Sequence, residues 1–296
     1  MRKVKIVATI GPASQDLNIL ADMIRAGVNV MRLNMSHGDY DFHQNTINLV
    51  REASKLAAKE VAILVDLQGP KIRVGALESP LALENGAEWF IGTKDHKGTL
   101  ENYIPTVYKD LAKDVDVGQA VLFDDGLLEA VVTEKLENIV KIKVKTGGLL
   151  KQKKGINLPE TEVSAPSLTE KDKDDLFWAV DNLEVDFIAL SFVRNDSDII
   201  EVKNLMRKQK RMLPVIAKIE KPEAIKNISE IIDASDAIMI ARGDMAVEVG
   251  AHIVPRVQKQ IVRLCNLKAK PVITATQMLE SMTTNTSPTR AEASDV

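Results

Sequence analysis

The sequence predicts an α/β fold: a parallel βα series, read as a (β/α)8-type barrel with seven of its eight strands present, interrupted by one small β domain. Three observations lead there. Seven short runs are apolar almost throughout and rich in β-branched residues: 4–10, 28–33, 61–67, 185–192, 214–219, 236–241 and 271–276. Such continuous runs suit strands buried on both faces, as in parallel sheets. Helical periodicity fills most of the intervals between them. The interval after residue 67 is the exception, because it is far longer than a βα unit of ~30 residues. An insertion of about 90 residues accounts for the excess. The expected organisation is a first barrel part at 1–74, an inserted small antiparallel β-barrel domain at 75–158, and a second, incomplete barrel part at 159–296.

Each element has its own signals. Leu17, Leu20 and Ile24 follow the helical period, and Gly27 stands where a C-cap belongs. Phe42, Leu49, Val50, Ala53 and Leu56 mark a second helix. Within the insertion, residues 140–145 read V-K-I-K-V-K, a period of two with one face buried. Asp124-Asp125-Gly126 and Glu137-Asn138 are turn signals between strand-like runs. Residues 151–155 form a basic exit hinge. Thr169 with Asp172 predicts a helix N-terminus ahead of Leu176, Val180 and Leu183. Pro222 suits a first helical position before Ile225, Ile228 and Ile232, and Pro255 does the same before Val257, Ile261 and Leu264. A parallel βα series builds either an open sheet or a barrel. Neither G-x-G-x-x-G nor G-x-x-x-x-G-K-[ST] occurs, which favours the barrel. A full barrel needs eight strands, and the sequence stops at Val296 after the seventh.

Composition excludes several classes. The 296 residues are 45% hydrophobic and 27% charged, the mix of a globular protein. A net charge of −3, from 39 basic and 42 acidic residues, leaves no footprint for nucleic acid. One cysteine, Cys265, rules out an intrachain disulfide framework and suits a reducing compartment. No apolar run approaches the ~20 residues of a membrane helix, and the N-terminus lacks a secretory h-region. The expected setting is the cytoplasm, away from membranes.

The strands share an apolar body and a polar end. Arg32, Asn34, Ser36 and His37 follow the second; Asp66, Gln68, Lys71 and Arg73 the third; Ser191 and Arg194 the fourth. Lys218 and Glu220 end the fifth, Arg242, Gly243 and Asp244 the sixth, and Thr274 and Thr276 the seventh. In a parallel barrel these ends share one rim, where barrel active sites lie. A strand end also turns polar merely by reaching solvent. Lys218 and Glu220 go beyond that, because they are two apart and point the same way from a strand. Unpaired buried charge costs several kcal/mol, so the pair is matched by itself, by a metal or by a ligand. Arg32, Arg73, Lys218 and Arg242, expected to converge with Glu220 and Asp244, suggest a phosphorylated, carboxylated small molecule held with Mg²⁺ or Mn²⁺. His43, His96 and His252 read as surface residues, Cys265 as core, and Trp89 and Trp178 as hydrophobic anchors. The basic run 151–154 reads equally as a solvated face or a phosphate contact.

These residues lie in segments that resemble the pyruvate kinase family along the whole chain: KIVATIGPAS, NVMRLNMSHG, GPKIR, KKGINLP, DFIALSFVR, AKIEKPEAI, IMIARGDMAVEV, and PVITATQMLESM followed by PTRAEASDV. The resemblance implies the glycolytic transfer of a phosphoryl group from phosphoenolpyruvate to ADP, giving pyruvate and ATP. It implies a barrel with the insertion as a lid. By resemblance Lys218 and Thr276 are catalytic, Lys218 stabilising the transferring group and Thr276 helping protonate the enolate. Arg32 would bind phosphate, and the backbone of Gly243 and Asp244 the substrate carboxylate. Glu220 and Asp244 would hold Mg²⁺ or Mn²⁺. Asn34, His37, Arg73 and Lys154 match nucleotide contacts. A homo-oligomer is expected of the full-length form.

Two departures stand out. Many members read D-T-K-G-P-E at the third strand and need potassium; here residues 66–71 read D-L-Q-G-P-K. Asn34, Ser36, Asp66 and Leu67 match monovalent-cation positions, while Lys71 replaces the acidic residue. This resembles the potassium-independent branch, so activity without added K⁺ is expected. Members also continue into an eighth strand and a C-terminal domain. Two other readings stay open: a barrel lyase or aldolase using Lys218 as a Schiff base, and an inactive or partner-dependent remnant.

Overall fold

The computed structural model describes residues 4–93, 100–159, 161–182, 184–276 and 278–296; the expectations for Leu183 and His96 lie outside them. The chain opens with β1 (Ile6–Thr9), α1 (Leu17–Ala26), β2 (Val28–Asn34), α2 (Tyr40–Ala57) and β3 (Ala62–Asp66). Asp16 caps α1 by accepting from the Asn18 and Ile19 amides, and Gly27 ends it at φ 118°, a left-handed conformation that favours glycine. His43 is not a surface residue. It is buried with Thr46, Ile47 and Val50 on one stripe of α2, the i, i+3, i+4, i+7 spacing that faces a core. Its ring packs edge-on to Phe42 at 5.5 Å and tilted against Trp178 at 6.1 Å. Trp178 in turn stacks on Tyr40 at 5.4 Å. His252 is exposed.

The insertion contributes β4 (Leu81–Leu83), β5 (Glu88–Gly92), β6 (Tyr103–Pro105), α3 (Leu111–Asp114), β7 (Ala120–Phe123), β8 (Leu128–Lys135), β9 (Ile139–Thr146), β10 (Gly148–Leu150) and β11 (Ile156–Asn157). Among the described residues its larger sheet has the order β11-β7-β8-β9-β5-β6, and β10 pairs with β4. The sheet is mixed rather than wholly antiparallel, because β5 and β6 run parallel. Alternation in β9 buries Val140, Ile142 and Val144 against a separate core that includes Trp89, Phe123 and Leu150. Residues 72–75 join the outer strands: the Ile156 amide donates to Ile72 O, the Val74 amide to Lys154 O, and the Gly75 amide to Pro105 O.

The chain then forms α4 (Glu170–Asp181), β12 (Phe187–Leu190), α5 (Asp196–Lys208), β13 (Val215–Ile219), α6 (Pro222–Lys226), α7 (Ile228–Ala234), β14 (Ala237–Ala241), α8 (Arg242–Val249), α9 (Val254–Leu267), β15 (Val272–Ala275) and α10 (Arg290–Asp295). Thr169 and Asp172 form the expected capping box on α4. The single helix expected after Pro222 is two, α6 and α7. They meet at Asn227, whose side-chain amide is drawn to Arg194 O at 2.9 Å. Cys265 is buried in α9.

β1, β2, β3, β12, β13, β14 and β15 make one parallel sheet in that order. Its two faces follow the period of two. Ile63, Val65, Ile188, Leu190, Val215, Ala217, Ile219, Ile238 and Ile240 pack with the helices. The intervening Leu64, Ala189, Ile216 and Met239 form an inner cluster. Val7 of β1 and Ile273 of β15, from the two outermost strands, both pack on that inner cluster. The sheet is therefore curled. No helix among the described residues is long and apolar enough to cross a membrane.

Candidate active site

The inner face changes character along each strand. Below lie Val7, Val30, Leu64, Ala189 and Ile216; two or four positions on, the same face carries Thr9, Arg32, Asn34, Asp66, Ser191, Lys218 and Glu220. The register of the parallel sheet brings these ends level, with Thr9 beside Arg32, Asn34 beside Asp66, and Asp66 beside Ala189.

Asp66 is the pivot. Its Oδ2 accepts from Arg32 Nε at 2.6 Å, and its Oδ1 lies 3.3 Å from Lys218 Nζ. Lys218 Nζ also donates to Ser191 Oγ at 2.6 Å and lies 3.0 Å from Glu220 Oε1. Ser191 Oγ in turn donates to Leu67 O at 2.7 Å, and Arg32 Nη1 donates to Thr9 Oγ1 at 2.7 Å. Asp66, Ser191 and Glu220 are each only 1% exposed. Burial opposes the Lys218 ammonium, yet the Asp66 and then the Glu220 charge outweigh it, and its pKa stands above that of an ordinary lysine. Burial raises the Glu220 pKa; Lys218 pulls it down, and the Asp244 charge pushes it further up.

Backbone geometry fixes Glu220 on its other side. Glu220 Oε2 accepts from the Phe192 amide at 2.9 Å. Phe192 sits at φ 55°, uncommon for a bulky residue. Gly69 makes room for it, since a Cβ there would meet Phe192 Cδ2 at 2.6 Å. The Gly69 amide is itself held by Asp172 Oδ1 at 3.0 Å, so the cap of α4 also anchors the loop after β3.

The sixth and seventh strand ends complete the rim. Thr276 lies against the start of α8, where a Cβ on Gly243 would come 3.2 Å from Thr276 Cγ2. Lys71 Nζ lies 3.8 Å from Asp244 Oδ1 and 4.0 Å from Asp125 Oδ1 of the insertion. Lys154 Nζ pairs with Asp124 Oδ1 at 2.7 Å, and Arg73 Nη1 donates to Lys153 O at 3.1 Å. The turn at 124–126 reaches α8, since a Cβ on Gly126 would lie 3.7 Å from Val247 Cγ1. A buried contact ties the insertion's exit to the same helix: Asn157 Nδ2 donates to Glu248 Oε1 at 2.8 Å, and Lys221 Nζ lies 2.9 Å from Glu248 Oε2.

Among the expected site residues, Arg32, Asp66, Lys218, Glu220, Lys71, Gly243, Asp244 and Thr276 gather at this rim. Arg73 and Lys154 stand at the junction with the insertion. His37 is exposed on the loop after β2, and Asn34 Oδ1 accepts from the Ser36 amide at 3.1 Å. Arg242 does not converge with Glu220 and Asp244. α8 begins at Arg242, and its side chain turns to β15, donating to Ala275 O at 3.0 Å. The strand-end pattern would have picked out Thr9, whereas the Phe192 amide leaves no mark in the sequence.

Among the described residues no group of three or more His, Cys, Asp or Glu side chains forms a metal cage. Glu220 and Asp244 nonetheless suit a hard divalent cation, which keeps several coordination positions for water and substrate oxygens. The charge of the part-exposed Asp244 bears on the buried Glu220.

A curled parallel sheet with a charged cluster at its C-terminal rim, overhung by a β insertion, defines a barrel-enzyme architecture. The pyruvate kinase barrel-domain model matches residues 1–296. The chain is 47% identical over 299 aligned residues to pyruvate kinases of Staphylococcus aureus strains USA300, NCTC 8325 and N315. The alignments cover 100% of this chain and 51% of each relative, so the chain spans about half their length. The chain belongs to the pyruvate kinase family.

Proposed function

We propose that this chain carries the catalytic region of a pyruvate kinase, transferring the phosphoryl group of phosphoenolpyruvate to ADP. The carrying observation is Lys218, a buried ammonium held between Asp66 and Glu220 at the rim beside Asp244. Phosphoryl transfer depends on alignment and on neutralising equatorial oxygen charge, more than on a covalent nucleophile. Lys218 is a fixed cation for that purpose, and Arg32, oriented by Asp66 and Thr9, is a second. The amides of Gly243 and Asp244, at the first turn of α8, receive the substrate carboxylate. Thr276 stands beside Gly243 to serve protonation of the enolate. Glu220 and Asp244 would hold Mg²⁺ or Mn²⁺, which when bound supplies Lewis-acid neutralisation of phosphate oxygens. Asn34, His37, Arg73 and Lys154 face the nucleotide, and the insertion, residues 75–158, acts as a lid that excludes water as a rival acceptor.

Lys71 bears on the monovalent ion. Its ammonium, within reach of Asp244 and Asp125, brings positive charge to the rim, in line with activity without K⁺. A cytoplasmic setting and a homo-oligomeric full-length form belong to the same reading. A Schiff-base lyase would need Lys218 as a free amine, whereas Asp66 and Glu220 favour its ammonium. The test is pyruvate formation by the purified 296-residue chain with phosphoenolpyruvate, ADP and Mg²⁺. Turnover supports the reading. A folded chain without turnover would place it as a remnant that depends on further protein.

A further inference from the structure

We propose that Arg242 is a positioning residue, a guanidinium clamp that holds the backbone at 275–276 so that Thr276 faces the start of α8. The proposal deepens the phosphotransfer reading, because it rests on Thr276 acting at the enolate. Arg242 is one of the charged residues that would be expected to meet an anionic ligand. Its side chain is instead committed to protein acceptors. Nε donates to Ala275 O at 3.0 Å, while Nη2 donates to Thr276 O and approaches Met278 Sδ at 3.0 Å. Nη1 pairs with the Asp295 carboxylate of α10. The side chain is 13% exposed, so these contacts form largely out of water.

The conformation being held is an unfavourable one. Thr276 sits at φ 76°, the left-handed region, where a β-branched residue is a genuine outlier. Such strain persists only where the surroundings over-determine it, and it gathers at active sites. Two carbonyl acceptors in succession, Ala275 O and Thr276 O, are gripped by one planar fork. On the opposite side, Gly243 lacks the side chain that would crowd Thr276 Cγ2 at 3.2 Å. Adjacent residues thus do complementary work: Arg242 fixes the Thr276 backbone, and Gly243 leaves space for its side chain. A lysine has a single nitrogen and cannot reproduce the fork.

The test compares Arg242→Met, Arg242→Lys and Asp295→Asn in the 296-residue chain. Crystal structures, or carbonyl and Cα shifts of labelled Thr276, report the backbone directly. Arg242→Met is expected to return Thr276 to negative φ. It should slow exchange of the pyruvate methyl protons about 100-fold, the scale of a displaced catalytic group, with little change in KM for phosphoenolpyruvate. Arg242→Lys should fall between, and serves alone if the methionine variant does not fold. Asp295→Asn should keep Thr276 in place. A positive φ at Thr276 in both arginine variants overturns the clamp. So does a raised KM with unchanged kcat, which would make Arg242 a ligand-binding group. Thr276→Val with full activity would defeat the role of Thr276 while leaving the backbone measurement to judge Arg242.

Discussion

Replacing Lys218 by methionine removes the group on which the rim is built. The ammonium reaches Ser191 Oγ, Glu220 Oε1 and Asp66 Oδ1 at 2.6, 3.0 and 3.3 Å. Asp66 keeps Arg32 in the variant, but Glu220 keeps only the Phe192 amide. Breaking a buried pair costs about 3–5 kcal/mol of stability. Losing one preorganised donor costs about 3–4 kcal/mol of barrier, or roughly 10²–10³ in rate. A lactate-dehydrogenase-coupled assay gives kcat, and calorimetry gives phosphoenolpyruvate affinity, which should change much less. The two losses are separable by pH. Without Lys218, burial and Asp244 push the Glu220 pKa up against the Phe192 amide alone. A carboxyl raised in the folded state binds its proton more tightly there than when unfolded. Its contribution is present below the ordinary value of 4.5 and lost as pH rises through the folded value. The urea midpoint of Lys218→Met should therefore fall with rising pH more steeply than that of the parent. Turnover within twofold of the parent would refute the assigned role, and a parallel pH profile would refute the pairing.

Three further expectations are independent of that one. Lys71→Glu should make turnover rise with added KCl but not with tetramethylammonium, since it sets a third carboxylate beside Asp244 and Asp125; K⁺-independent turnover in that variant would oppose it. Gly243→Ala should leave the melting temperature unchanged or slightly higher, because alanine favours helix by up to about 1 kcal/mol. Turnover should nonetheless fall about tenfold as Thr276 is displaced, and an unaltered kcat would contradict that. His43 has a pKa lowered chiefly by burial. A base depressed in the folded state costs stability as pH falls below its ordinary value of 6.5. His43→Leu should flatten the acid side of the urea-midpoint profile, and an unchanged slope would count against it.

The parallel sheet was legible because apolar runs and strand ends are local patterns. Lys218 and Glu220 were legible for the same reason, as a two-residue spacing on one strand. The work of Asp66 was not. It is defined by partners 34 positions back at Arg32 and 125 positions on at Ser191, and only the sheet register brings these together. Arg242 obeyed the strand-end pattern yet left the cluster, because α8 starts at that residue and turns its side chain toward β15. His43 was legible in principle, since its spacing from Thr46, Ile47 and Val50 is helical, but a histidine carries no apolar signal of its own to mark that stripe. The break between α6 and α7 depends on a distant carbonyl, that of Arg194.

Charge balance at the rim explains why these residues act together. Arg32 and Lys218 are offset by Asp66 and Glu220, and Lys71 by Asp244, so the six side chains are formally neutral. A phosphoryl dianion entering alone would gain no net attraction from such a set, and a divalent cation entering alone would gain none either. Together they cancel, leaving the substrate carboxylate for the Gly243 and Asp244 amides, and each offsets part of the other's desolvation penalty. Binding of the two should therefore be coupled, with phosphoenolpyruvate affinity rising as Mg²⁺ is titrated in and Mg²⁺ affinity rising by the same factor in return. Lys71→Glu shifts the same sum to −2, which is why a monovalent cation becomes useful in that variant. If calorimetry found the two affinities independent in the parent chain, neutrality of the six-residue set would not govern this site.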